Sequence, residues 1–176
     1  MLDRVVRCVV SCGLMLMLGV AALGSDSWPT FRGPQRTATA PDKGLLDKWP
    51  EEGPKLVWKA VGAGRGYSSL AIVDGRIYTL GDAPSTAEDK DEYLVCFNQA
   101  DGKQLWKTKT GEAWNSGKPD WQSSRSTPTV DGDRVYVLTP HGLLFCCKTS
   151  GEEVWRKDLK KDFVGSKADE IGRAHV

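Results

Sequence analysis

The chain has 176 residues, with 24 basic and 23 acidic side chains and a net charge of +1. That length suits one domain, and the balanced charge gives no support to nucleic acid as a partner, which needs a clustered basic face. Nineteen glycines and nine prolines favour many turns and short elements, hence β over α.

Residues 1–24 read as a secretory signal peptide. Arg4 and Arg7 make a short positive start, Cys8 to Leu23 is almost wholly apolar, and Ala22 and Gly24 place small residues before Ser25. The apolar run is shorter than the ~20 residues a membrane span needs, and no stop-transfer charge cluster follows. An exported, periplasmic location is therefore expected, with no transmembrane anchor in the mature chain. Val9-Val10-Ser11-Cys12 loosely resembles a lipoprotein signal but comes before most of the apolar run. Cleavage would remove Cys8 and Cys12 and leave Cys96, Cys146 and Cys147. An odd count excludes a fully paired disulfide framework, and these three are expected as small buried hydrophobes on strands.

Residues 25–55 read as an extended N-terminal segment, and a repeat then takes over. Trp58, Trp106 and Trp155 lie 48 and 49 residues apart. Each follows an aliphatic residue (Val57, Leu105, Val154) and precedes a basic one, with Gly53, Gly102 and Gly151 upstream. Ile72-Val73-Asp74-Gly75-Arg76-Ile77-Tyr78 matches Thr129-Val130-Asp131-Gly132-Asp133-Arg134-Val135-Tyr136 with one inserted residue, and Tyr93-Leu94-Val95-Cys96-Phe97 matches Gly142-Leu143-Leu144-Phe145-Cys146. Asp-Gly between β-branched and aromatic runs is a hairpin signal, because glycine accepts the positive φ that tight turns require. Strands are predicted at 69–73, 76–80, 93–98 and 104–108, then at 127–130, 134–138, 143–147 and 153–157. Turns fall at Gly75, Gly102, Gly132 and Gly151.

Four antiparallel strands in a period of about 40–50 residues read as one propeller blade. The fold class expected is all-β: a partial β-propeller of two complete blades over 56–163, plus a lone outer strand at 56–59. That strand is expected to complete the last blade of a full ring and so remove a bare edge. The three tryptophans are expected to be structural, covering the edges between blades. Residues 164–176 read as the cut-off start of a further blade. Residues 170–176 match the translation of a sequencing adapter, which makes the chain an expected N-terminal fragment and removes functional weight from His175.

The same residues carry a family resemblance. Asn98-Gln99-Ala100-Asp101-Gly102-Lys103-Gln104-Leu105-Trp106 and Cys147-Lys148-Thr149-Ser150-Gly151-Glu152-Glu153-Val154-Trp155 resemble the pyrroloquinoline quinone (PQQ)-like repeat. Trp28-Pro29-Thr30-Phe31-Arg32-Gly33-Pro34 and Gly66-Tyr67-Ser68-Ser69 resemble segments of exported bacterial proteins of that type. The resemblance implies a closed ring of blades. It covers quinoprotein dehydrogenases and an outer-membrane assembly lipoprotein alike. For a dehydrogenase it implies PQQ and calcium as cofactors, with calcium ligands and a carboxylate base in later blades.

Connectivity sorts the loops into two faces, and function in propellers uses long loops around the axis. The long connections at 60–68, 81–92, 109–126 and 139–142 share one face. On it Arg65, Tyr67, Trp114, Trp121, Gln122 and Arg125 are the candidate contacts for a protein or small-molecule ligand. Glu88-Asp89-Lys90-Asp91-Glu92 lacks the glycine and spacing of a calcium loop and reads as a solvated loop. Adjacent Cys146 and Cys147 would point to opposite faces of a strand, which disfavours a disulfide between them. His141 reads as a turn residue, with no catalytic or metal-ligating set around it. Two functions follow: a non-catalytic exported scaffold for binding or assembly, or a PQQ- and calcium-dependent dehydrogenase of alcohols or sugars. The segment itself shows no catalytic or metal-binding residue.

Overall fold

A computed structural model of the protein describes residues 27–82, 90–114 and 123–163. The segments expected to be a signal peptide and an adapter translation, together with Trp121, Gln122, Glu88 and Asp89, lie outside them. No helix among the described residues is long and apolar enough to cross a membrane.

Eight strands form two four-stranded sheets. The first blade is β1 (Ala71–Val73), β2 (Arg76–Asp82), β3 (Asp91–Asn98) and β4 (Gln104–Glu112). The second is β5 (Thr129–Asp131), β6 (Arg134–Leu138), β7 (Leu143–Lys148) and β8 (Glu153–Asp158). Each sheet is antiparallel and keeps chain order, so every strand pairs with its neighbour in sequence. One helical turn, α1 (Leu159–Asp162), follows β8 and is capped by the Asp158 carboxylate.

The two inner hairpins solve the same turn differently. In the first, Val73 pairs with Arg76 across Asp74 and Gly75, whose φ values of 50° and 71° are both positive, as a type I′ turn demands. In the second, Asp131 has joined the strand and pairs with Arg134. Gly132, at φ 55°, then takes the first central position, the glycine place of a II′ turn. The inserted residue is thus absorbed by a change of turn, and the register beyond is preserved. Tyr78, Cys96 and Trp106 form one cross-strand row; Tyr136, Cys146 and Trp155 form its counterpart. The Tyr and Trp rings stand 5.9 Å and 53° apart in the first blade, 6.1 Å and 52° in the second.

The aliphatic residue before each tryptophan has a structural reason. Register slips between Cys96 and Phe97 and between Cys146 and Cys147, so Leu105 and Val154 are each an extra residue on the outer strand. Both are bulge residues pushed outward, and both are exposed.

Strand side chains alternate, so each sheet has two faces. Tyr78, Leu80, Leu94 and Cys96 of the first blade pack on Val135, Val137, Phe145 and Cys147 of the second, and this is the main core. The opposite face of the first blade, Ile77, Val95 and Phe97, is covered by Trp58, Ala60 and Ala63. Trp58 lies over Gly102 and donates its indole N–H to Gln99 O at 2.9 Å. One repeat later, Trp106 lies over Gly151 and donates to Thr149 O at 3.1 Å. Arg76 and Thr108 add further clips to Thr149 O and Gly151 O. Trp58 and Trp106 therefore cover blade edges as expected, while Trp155 remains 37 % exposed on the uncovered face of the second blade.

Residues 56–59, expected to pair only in a full ring, join no strand ladder here, and two other expectations are corrected. A strand is defined by its partner, and no further strand lies beside this segment among the described residues; its tryptophan docks all the same. Strands β2 and β4 run on to Asp82 and Glu112, and β3 begins at Asp91, so the long connections are shorter than anticipated. Glu92, expected in a solvated acidic loop, is a strand residue with no exposed surface. It sits two residues before Leu94 and four before Cys96, on the buried face, and position outweighs its charge.

Candidate functional site

The long-loop end of the first blade is built around a threaded peptide, Gly64-Arg65-Gly66. Its backbone passes between the end of β2 and the linking segment that leads to β5. Arg65 bridges Asp82 on one side, and Gly66 bridges Ser124 on the other. The approach is close enough to require glycine: a Cβ on Gly64 would stand 2.1 Å from Asp82 O, and one on Gly66 2.8 Å from Ser124 O.

Arg65, a candidate contact, is engaged here rather than offered to a ligand. Its guanidinium grips the Asp82 carboxylate through two bonds, Nε to Oδ1 at 3.1 Å and Nη2 to Oδ2 at 2.7 Å. Ser123 Oγ donates to the same Oδ2 at 2.8 Å. The Asp82 side chain is 2 % exposed, so the arginine compensates a buried charge and ties three segments together.

Glu92 stands directly opposite Asp82 across the β2–β3 ladder. Thr110 Oγ1, on β4, lies 3.0 Å from Glu92 Oε1 and 3.1 Å from the Glu92 backbone carbonyl. Glu92 Oε2 is buried without a hydrogen-bond partner, as are Ser124 Oγ and Thr127 Oγ1. Burial pushes the Glu92 carboxyl up to about 7, and the nearby Asp82 charge pushes the same way against the Ser124 and Thr110 hydroxyls.

The remaining candidates fall into two pairs. Tyr67 is 62 % exposed. Its backbone N–H donates to Ser124 O at 2.7 Å, and the Arg125 guanidinium lies 5.9 Å from its ring centroid. The Trp114 and His141 rings pack with centroids 5.6 Å apart and planes tilted by 46°, and His141 Nε2 lies 3.2 Å from Ala113 O. Ser123 N–H donates to Trp114 O at 2.9 Å, which joins the Trp114 pair to the Asp82 cluster. His141 is in a turn, as read from the sequence, and its ring also packs on Trp114. Asp82, Glu92, Ser123 and Ser124 were missed as a group. The one available signal was that Asp82 and Glu92 continue the alternation of the buried faces of β2 and β3.

The described residues at this end do not fit a calcium-bound quinone. Both Asp82 oxygens are taken by Arg65 and Ser123, and Glu92 is sealed from solvent. Cys146 and Cys147 lie in different layers: Cys147 is in the core between the blades, and Cys146 is in the Tyr136–Trp155 row. Both are free and buried, and burial raises both thiols, Cys147 to about 12.

Two antiparallel four-stranded sheets packed face to face, with outer-strand tryptophans docked one repeat ahead, define a β-propeller repeat protein. Residues 90–171 match the PQQ_2 family, described as outer membrane protein assembly factor BamB. Residues 90–171 carry the PQQ-like β-propeller repeat of that family. No curated protein matches it.

Proposed function

We propose that the protein is an exported, non-catalytic propeller that binds a partner protein or ligand through its long-loop face. The observation that carries this reading is the division of labour at that face. Charged side chains there are spent on holding segments together, as in Arg65 and Asp82, while Tyr67 is presented to solvent beside Arg125 and Trp114 packs at a tilt against His141. Aromatic rings next to cationic or polar groups are the residue types that anchor recognition surfaces. The matching family's description as an assembly factor supports protein as the partner class, and the apolar leader supports export.

The test is cross-linking of the native protein in its own cells, followed by identification of the linked peptides. Cross-links from residues flanking Tyr67 and Arg125, lost in Tyr67→Ala, are the expected result. Dye-linked oxidation of an alcohol or sugar by the full-length protein after reconstitution with PQQ and calcium would overturn the reading in favour of a dehydrogenase.

A further inference from the structure

Trp58 and Trp106 sit in the same kind of dock but are carried differently. Each ring lies over a glycine: a Cβ would stand 2.5 Å from the Trp58 ring at Gly102 and 2.7 Å from the Trp106 ring at Gly151. Each indole N–H donates to a turn carbonyl, Gln99 O at 2.9 Å and Thr149 O at 3.1 Å. Trp106 is a residue of β4, held opposite Cys96 by the β3–β4 ladder. Trp58 belongs to no strand. Among the described residues, its bond to Gln99 is the one hydrogen bond that residues 56–62 make. Leu56, Val57 and Val61 point to solvent, so the segment covers Ile77, Val95 and Phe97 with little more than the indole and Ala60.

The chain is fastened on either side of this segment. Downstream, Arg65 exchanges backbone bonds with Asp82 at 3.3 and 3.1 Å and grips its carboxylate, and the Tyr67 N–H donates to Ser124 O. Upstream, Trp28 exchanges backbone bonds with Ile72 at 2.6 and 2.9 Å, and Pro29 O accepts from the Val130 N–H at 2.9 Å. Residues 34–52, which lie between, are exposed throughout. The joint with the downstream clip is Gly62, at φ +91°. Gly64 and Gly66 are crowded by backbone, whereas a Cβ on Gly62 would meet only the tip of the Gln104 side chain at 3.2 Å. Gly62 therefore has room to turn, and glycine gives it the freedom to do so.

We propose that residues 56–61 form a lid over the first blade, hinged at Gly62, that opens as a unit while the clip at Gly64–Gly66 stays fastened. Opening breaks the Trp58 bond and uncovers Ile77, Val95 and Phe97, and no ladder bond is lost. Segments with few buried contacts and few backbone bonds are the ones that open locally, below the cost of global unfolding. The repeat counterparts of the covered residues, Val135, Phe145 and Cys147, lie buried against the first blade. The lid thus does for the first blade what the first blade does for the second, but on a movable support. The inference does not depend on what binds at the long-loop face.

The test is hydrogen exchange of the indole N–H groups in the full chain, followed by NMR over low concentrations of urea. The Trp58 indole should exchange at least about tenfold faster than the Trp106 indole. Its rate should barely respond to urea, because opening the lid exposes little surface. Equal rates and equal urea slopes for the two indoles would overturn the lid. The Tyr67 amide reports the clip and should keep its protection while Trp58 exchanges; loss of both together would overturn the hinge at Gly62. Gly62→Ala sharpens the test. Strain at positive φ falls on the closed lid and is relieved on opening, so Trp58 exchange should rise by about a further fivefold. Trp106 and Tyr67 should stay as in wild type. An equal rise at all three sites would mean that the segment opens only with the whole fold, and would overturn the proposal. If Gly62→Ala fails to fold, the two indoles of the wild type still decide.

Discussion

The two blades share a register and differ in what covers them. The first blade is packed on both faces, by the second blade on one side and by Trp58, Ala60 and Ala63 on the other. Among the described residues the second blade is packed on one face only, and its other face shows Tyr136, Leu138 and Leu144 half-buried and Trp155 exposed. The Tyr–Cys–Trp row is set in nearly the same geometry in both. The row is therefore a property of the sheet itself, with the same geometry whether or not a neighbour covers it. What the neighbour adds is burial of the indole, its hydrogen bond and the fit of the ring over a glycine. A blade of this type is built to be covered, and its own fold already presents the surface that receives the cover.

Substitutions can break that comparison at three strengths. The largest effect is expected at the shared core. Phe145→Ala should cost about 3–5 kcal/mol, because Phe145 has no exposed surface and packs between the blades. Leu144→Ala, one residue away on the uncovered face, should cost about 1 kcal/mol. Urea denaturation of the full chain measures both, and equal losses would mean that the second face is covered after all. Next come the glycines. Gly151→Ala combines a φ of +91° with a Cβ placed 2.7 Å from the Trp106 ring, and should cost about 2 kcal/mol or more. Gly132→Ala, at φ +55° with open space around it, carries backbone strain alone, about 1 kcal/mol. Should Gly132→Ala prove the more damaging, the docking contact would not be the reason for the glycine. The smallest contrast is in the indoles. Trp106→Phe loses the bond to Thr149 O and should cost about 1 kcal/mol. Trp155→Phe should stay within about 0.5 kcal/mol.

Stability should also depend on pH through Glu92. Its folded carboxyl is raised from 4.5 to about 7, so the folded state binds the proton more tightly than the unfolded one. Stability from this group is therefore full below pH 4.5, falls as pH rises through the window to about 7, and is lost above it. The fall is on the order of 3 kcal/mol and should be absent from Glu92→Gln.

Periodic features were legible in the sequence. The tryptophan spacing, the Asp-Gly and Ser-Gly turns and the alternating apolar runs placed all eight strands, since each signal is local and repeats. Strand ends were less legible. Asp82, Asp91 and Glu92 look like loop residues because they are acidic, and only their pairing partners keep them in the ladder. The bulges at Leu105 and Val154 were visible as a pattern without a meaning. Of the candidate contacts, Tyr67, Arg125 and Trp114 sit at the face, whereas Arg65 is turned to a structural task by Asp82, an acid 17 residues away in sequence.

By itself, then, the sequence determined the blade: its four strands, its turns and the tryptophan that marks its outer edge. These follow from side-chain alternation and glycine backbone freedom, which act over a few residues. Only the tertiary structure decided which faces are covered, where Trp58 and Trp106 dock, and that Arg65, Asp82, Glu92, Ser123 and Ser124 meet. Those contacts join segments far apart along the chain, and burial and charge compensation have no meaning until the segments are brought together.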